Sequence, residues 1–155
     1  MSPEIRQFLA DIAVPYTLHS HAPIVSFVDA IAALPFDPGA MVKGLAFRLS
    51  DGSYLIAAMR GGDRADYKKI ADAAGVRRAD LRAAEADDIV RDLGMVPGGI
   101  SPLPIGGAQV MFDEAVTTLP TVFCGAGRTD TTLEIAGPDL LRISGGRIAA
   151  LTRPG

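Results

Sequence analysis

Residues 41–60 read Met-Val-Lys-Gly-Leu-Ala-Phe-Arg-Leu-Ser-Asp-Gly-Ser-Tyr-Leu-Ile-Ala-Ala-Met-Arg. Two apolar runs, Met41 to Ser50 and Tyr54 to Arg60, flank Asp51-Gly52-Ser53, whose glycine supplies a positive φ; this predicts a β-hairpin. Lys43 is a lone cation in the first run. On a period of two it shares a face with Met41, Leu45 and Phe47, which is expected to point inward. A lysine there must snorkel, find a partner, or line a cavity that receives an anion or a carbonyl. An edge-strand lysine that discourages aggregation produces the same pattern.

Working outward, Ser2 and Pro3 suit the cap and first position of a helix running to about Ala13, with Ile5, Phe8, Leu9 and Ile12 on one face. Tyr16 to His19 predict a short strand. A second helix starts near Ser26, with Asp29 placed for a capping box, and ends before Pro35. Asp66 caps a helix through Ala74, closed by Gly75, and another covers Ala86 to Leu93, closed by Gly94. Strands follow at Gln109 to Asp113, Thr121 to Gly125 and Thr131 to Ala136, then a short helix after Pro138 and a last strand at Arg147 to Leu151. Hairpins and consecutive strands among helices, without regular βαβ alternation, predict an α+β fold with a mixed, curved sheet. No repeat or linker divides the chain, so residues 1–155 read as a single domain.

Composition narrows the function. The chain has 155 residues, enough to bury a sizeable core, and a formal net charge of -3 that disfavours broad binding along a phosphate backbone such as DNA. It leaves room for a pocket holding one nucleotide. No apolar run reaches the roughly 20 residues of a bilayer span. The start, MSPEIRQFLADIA, lacks the basic and apolar regions of a signal peptide. A single cysteine suits a reducing compartment and excludes a cysteine-based zinc site. The expected location is the cytoplasm, away from membranes.

Three stretches carry candidate chemistry. The first is the strand around Lys43. The second is Gly98-Gly-Ile-Ser-Pro-Leu-Pro104, where adjacent glycines let backbone approach a ligand and free N–H groups can form an anion nest or oxyanion hole. A plain connecting loop has the same composition. The third, Gly125-Ala-Gly-Arg-Thr-Asp-Thr-Thr132, either places Thr131 or Thr132 in a pocket or merely turns the chain. His19 and His21 share one side of a strand, a spacing that can chelate a metal. No third ligand is evident, which favours a structural or substrate-contacting role. Cys124 reads as a buried free cysteine. Lys68 and Lys69 form a solvated helix face or touch phosphates. Walker, Rossmann, nucleophile-elbow and zinc-protease motifs are absent.

Taken in order, His19-Ser-His-Ala-Pro23, Lys43, Gly61-Gly-Asp-Arg64, Asp66-Tyr-Lys-Lys69, Val96-Pro-Gly-Gly-Ile-Ser-Pro102, Cys124-Gly-Ala-Gly-Arg128, Leu133-Glu-Ile135 and Pro138-Asp-Leu140 resemble the YbaK/prolyl-tRNA synthetase-associated editing domain family. The resemblance runs from about residue 5 to 150. It implies a partly barrel-like α+β domain and a metal-free, cofactor-free deacylase acting on mischarged tRNA, typically tRNA for proline carrying alanine, cysteine or another small amino acid. It implies a key role for Lys43 and a frame of Gly98, Gly99 and Ile100 around the aminoacyl ester, with Ser101, Pro102, His21, Gly127, Thr131 and Thr132 as substrate contacts. The implied partners are the tRNA acceptor end and prolyl-tRNA synthetase. Two departures stand out: Gly44 occupies a position where the family often has threonine, and Thr129 to Thr132 differs from the Arg-Gly-Leu pattern of cysteine-clearing members. A non-catalytic tRNA- or synthetase-binding module of the same fold is the alternative.

Overall fold

The computed structural model describes residues 1–154. The predicted hairpin forms from β2 (Val42–Leu49) and β3 (Tyr54–Arg60), in antiparallel register with Lys43 opposite Met59. Before it lie α1 (Pro3–Ile12), β1 (Thr17–Ser20) and α2 (Phe27–Ala33). After it come β4 (Arg64–Ala65), α3 (Tyr67–Ala74), β5 (Leu81–Ala83) and α4 (Ala86–Asp88), which runs into a π-helical turn over Ile89–Leu93. The last elements are β6 (Gln109–Asp113), β7 (Thr121–Gly125), β8 (Thr131–Ala136), α5 (Gly137–Ser144), β9 (Arg147–Ala149) and β10 (Thr152–Arg153).

A five-stranded mixed sheet has the order β5-β2-β3-β6-β9, with β3–β6 and β6–β9 parallel. A three-stranded antiparallel sheet has the order β1-β8-β7, and β4 pairs with β10. The fold is α+β, as expected, but the strands divide among sheets rather than joining one. A parallel bridge between Met41 and Phe123 links the two larger sheets. The strands do not close into a barrel among the described residues.

The larger sheet is covered on both faces. Val42, Ala46, Ile56 and Phe112 pack with Ile5 and Leu9 of α1 and Leu133 and Ile135 of β8. Phe47, Leu49, Leu55 and Met59 pack with Ile70 of α3 on the other side. Burial on both faces explains why Tyr54 to Met59 form an unbroken buried run instead of alternating with polar residues. Among the described residues no helix is long and apolar enough to cross a membrane.

Local signals set the helix ends. The Asp66 side chain accepts from Lys69 N, and Gly75 closes α3 in the left-handed conformation. Ser2 occupies the cap position of α1 but makes no side-chain cap bond. Its backbone N–H instead donates to Ala126 O at 3.0 Å, and its hydroxyl is buried without a hydrogen-bond partner among the described residues. Docking α1 against the 125–128 turn has displaced the capping bond.

α2 buries no residue completely, and Val28 is 73% exposed. Its cap, Ser26 Oγ accepting from Asp29 N at 3.1 Å, therefore carries more of its local order. Ser26→Ala should cost about 1 kcal/mol. We expect faster amide exchange confined to residues 27–33, with little change in the global midpoint. Uniformly faster exchange across β2 and β3 would contradict this local role.

Candidate active site at the seam between the sheets

β2 pairs with β3 along its length, but with β5 only over Phe47 to Leu49. The Lys43 half of its outer edge therefore has no strand partner among the described residues. Beyond the Met41–Phe123 bridge, that edge and β7 border a pocket of about 270 Å³. This volume is at the small end for a ligand site. The loop after Val96 threads the gap. A Cβ on Gly44 would meet Ile100 O at 3.0 Å, and one on Gly125 would meet the same oxygen at 2.5 Å. Glycine on both strands is what lets the loop pass between them.

Lys43 lies at the end of the β2 face that carries Leu45 and Phe47, and lines the pocket. Its Nζ donates to Asp63 O at 2.6 Å and Gly61 O at 3.2 Å. An ammonium has three donors, so one N–H remains for a ligand. These neutral carbonyls orient the charge without cancelling it. The nearby Asp63 carboxylate is engaged by Arg60, through Nε at 3.0 Å. Partial burial pulls the Lys43 pKa below its ordinary value, and the Asp63 charge opposes that shift. The lining also includes Arg128, and no carboxylate among the described residues. Such a site suits a phosphate or a carbonyl oxygen acquiring negative charge.

Apolar side chains form much of the remaining wall. Phe27, Ala30 and Leu34 turn toward the pocket from α2 and the residue that ends it, beside Ile24, Phe36 and Ile100. The Phe27 ring lies where a Cβ on Gly61 would be, so that glycine seats it. Sequence reasoning missed this wall; the usable signal was Phe27-Val-Asp-Ala-Ile-Ala-Ala33, an apolar helix with only one charge to mark a solvent face. Arg128 was also missed as a pocket residue.

Of the residues singled out in the sequence, Lys43, Gly98, Ile100, His21, Thr131 and Thr132 border the pocket. Gly99, Ser101, Pro102 and Gly127 do not line it. Gly99 N donates to Val96 O at 2.9 Å, and its carbonyl accepts from Gly127 N at 2.7 Å. Gly127 O accepts from Val96 N at 3.0 Å, so the two loops are stitched together. Ser101 is buried, with its N–H directed to Met95 Sδ at 3.3 Å. The N–H groups of Gly98 and Ile100 have no protein partner among the described residues. Burial pushes the Cys124 thiol up to about 12, which makes it a poor nucleophile.

The two histidines take separate partners. His19 Nε2 lies 2.7 Å from Glu134 Oε1, while His21 follows the end of β1 and contacts Thr132 and the Ala22 carbonyl. Among the described residues, no three His, Cys, Asp or Glu side chains converge as metal ligands.

The fold has close counterparts in solved structures. A hypothetical protein superposes with a TM-score of 0.84 at 20% identity, covering 97% of this chain and 99% of its own. A protein whose name proposes a trans-editing enzyme for prolyl tRNA synthetase gives 0.83 at 21% identity, covering 99% of each chain. In sequence, the proline--tRNA ligase of Shouchella clausii (strain KSM-K16) is 27% identical over 110 residues, 71% of this chain. The matched region is only 19% of that ligase, so the resemblance concerns one part of a much larger enzyme. Residues 21–143 match the family model of the aminoacyl-tRNA editing domain, a span that takes in Lys43, the seam loop and the β7–β8 turn. The chain belongs to the aminoacyl-tRNA editing domain family.

Proposed function

We propose that the chain acts as one metal-independent editing domain in the cytoplasm, hydrolysing the ester of mischarged aminoacyl-tRNA. The substrate is tRNA for proline carrying alanine, cysteine or another small amino acid. The observation that carries this reading is the Lys43 ammonium, oriented by two carbonyls with one donor left over, in a small apolar pocket.

In this reading Lys43 holds the terminal phosphate or the ester carbonyl. The Gly98 and Ile100 N–H groups stabilise the tetrahedral oxyanion as water adds to the carbonyl carbon. The C–O bond to the ribose then breaks, and the departing oxygen takes a proton. The substrate's neighbouring hydroxyl or amino group activates the water, because both His21 ring nitrogens are already engaged. The apolar wall of Phe27, Ala30 and Leu34 accommodates a small side chain. Charge distribution supports an RNA partner: between residues 60 and 82, Arg60, Arg64, Lys68, Lys69, Arg77, Arg78 and Arg82 outnumber Asp63, Asp66, Asp72 and Asp80, in a chain whose net charge is -3. Prolyl-tRNA synthetase is the partner that supplies tRNA selection.

The test is incubation with alanyl-, cysteinyl-, seryl- and prolyl-tRNA for proline in EDTA, beside Lys43→Ala. Lysine-dependent release of a small non-cognate amino acid, with prolyl-tRNA spared, is the expected result. No release from any substrate, even with the synthetase added, would leave a tRNA- or synthetase-binding module.

A further inference from the structure

His21 and Thr132 form a hydrogen-bond pair whose direction the backbone determines. The Ala22 carbonyl lies 2.8 Å from His21 Nδ1, and a carbonyl can only accept, so Nδ1 carries the proton. In the neutral ring Nε2 then has a lone pair and no hydrogen. Thr132 Oγ1, 2.7 Å away, must donate its single proton to it. That leaves the Thr132 oxygen with lone pairs only. No other protein donor reaches that oxygen among the described residues. Thr132 is 9% exposed and borders the same pocket as Lys43. Thr131 also borders this pocket, and its Oγ1 is buried with no hydrogen-bond partner among the described residues.

We infer that the His21–Thr132 pair is a positioning element that makes Thr132 Oγ1 an obligate acceptor for a hydrogen-bond donor of the substrate. This rests on the deacylase reading and specifies one of its contacts. The polarity complements the rest of the site. Lys43, Arg128 and the free loop N–H groups are donors, suited to phosphate or carbonyl oxygens. Thr132 is the reverse. An aminoacyl-ribose offers two donors near its ester: the α-amino group and the ribose hydroxyl adjoining the linkage. Either fills the same requirement, and a hydroxyl acceptor with its proton held elsewhere rejects a second acceptor at that point. His21 therefore acts through Thr132.

The test uses a stable substrate mimic, 3′-amino-3′-deoxyadenosine joined to alanine through an amide, so that binding is read without hydrolysis. Two further mimics each lack one donor: the propionyl amide lacks the amino group, and the 2′-deoxy compound lacks the hydroxyl. For the intact protein, one of these deletions should weaken binding about 10- to 100-fold, the scale of a hydrogen bond to a buried partner in a ligand site. That deletion penalty should vanish in Thr132→Val and persist in Thr132→Ser, which retains the hydroxyl. His21→Phe should reduce the penalty, because Thr132 is then free to turn its own proton toward the ligand. The identity of the costly deletion names the donor.

The inference is overturned if neither deletion costs affinity, if the penalty survives in Thr132→Val, or if no mimic binds. It is also overturned if Thr132→Val weakens all three mimics equally, as a structural role would. Deacylation by the unaltered protein, measured in parallel against Lys43→Ala, tests the underlying reading separately. Active protein without a Thr132-dependent penalty rejects only the acceptor.

Discussion

Lys43→Met is expected to reduce single-turnover deacylation by roughly 100- to 1000-fold, the usual scale for removing one preorganised group from a developing oxyanion. The same variant should keep its thermal midpoint or raise it slightly. Partial burial depresses the Lys43 pKa, so the folded chain binds that proton less readily than the unfolded chain. The resulting cost is present while the ammonium is charged, below the folded pKa. It is relieved as pH rises from the folded toward the unfolded value. Methionine fills similar space without that charge. Deacylation and calorimetry on one preparation decide the matter: lost activity with a midpoint several degrees lower would make Lys43 a structural residue. If the charged form acts on substrate, activity should also fall on the alkaline side at a lower pH than an ordinary lysine would give.

Gly99→Ala is expected to destabilise the protein by about 1–3 kcal/mol and to remove most activity. A Cβ there would meet the Arg128 backbone, with its O at 2.5 Å and its N at 2.8 Å. Backbone cannot swing aside as a side chain can. Relief means separating the seam loop from the 125–128 turn, which breaks the hydrogen bonds among Val96, Gly99 and Gly127. Gly98 and Ile100 would move with the loop, away from the pocket they border. Gly44→Ala is the natural comparison, since its Cβ would meet Ile100 O at 3.0 Å and Cγ2 at 3.1 Å. A shift of a few tenths of an ångström relieves that contact, so its effect should be smaller. Urea unfolding of both variants gives the ordering. Equal stability of Gly99→Ala and the parent would show that the loop yields freely.

The Gly44 comparison also gives physical content to a departure from the family pattern. Where threonine is often found, this chain places Ile100 O against a bare Cα. The pocket wall on that side is thus made by the loop rather than by a β2 side chain. A threonine would have to displace it.

The hairpin, the Ser26 and Asp66 caps, the Gly75 helix end and the later strands were legible in residues 26 to 136, because each depends on neighbours within a few positions. What the Lys43 ammonium contacts was not legible. Its partners are the Gly61 and Asp63 carbonyls, brought back by β3 and the turn after it. Gly98-Gly99 looked like one unit in the sequence, yet Gly98 borders the pocket while Gly99 packs on Arg128. Tandem glycines signal close approach without naming what approaches. The Ser2 cap was likewise a sound local expectation that lost to a tertiary contact with the 125–128 turn.

Local order, the central hairpin and family membership were determined by the amino-acid sequence, since periodicity, capping and motif order are written in short stretches of chain. The tertiary structure alone decided that β2 and β7 part at Met41 and Phe123, that α2 walls the resulting pocket, and that Thr132 meets His21. Those outcomes depend on how two sheets pack and on backbone oxygens approaching bare Cα atoms, and excluded volume between distant segments has no signature in a local pattern.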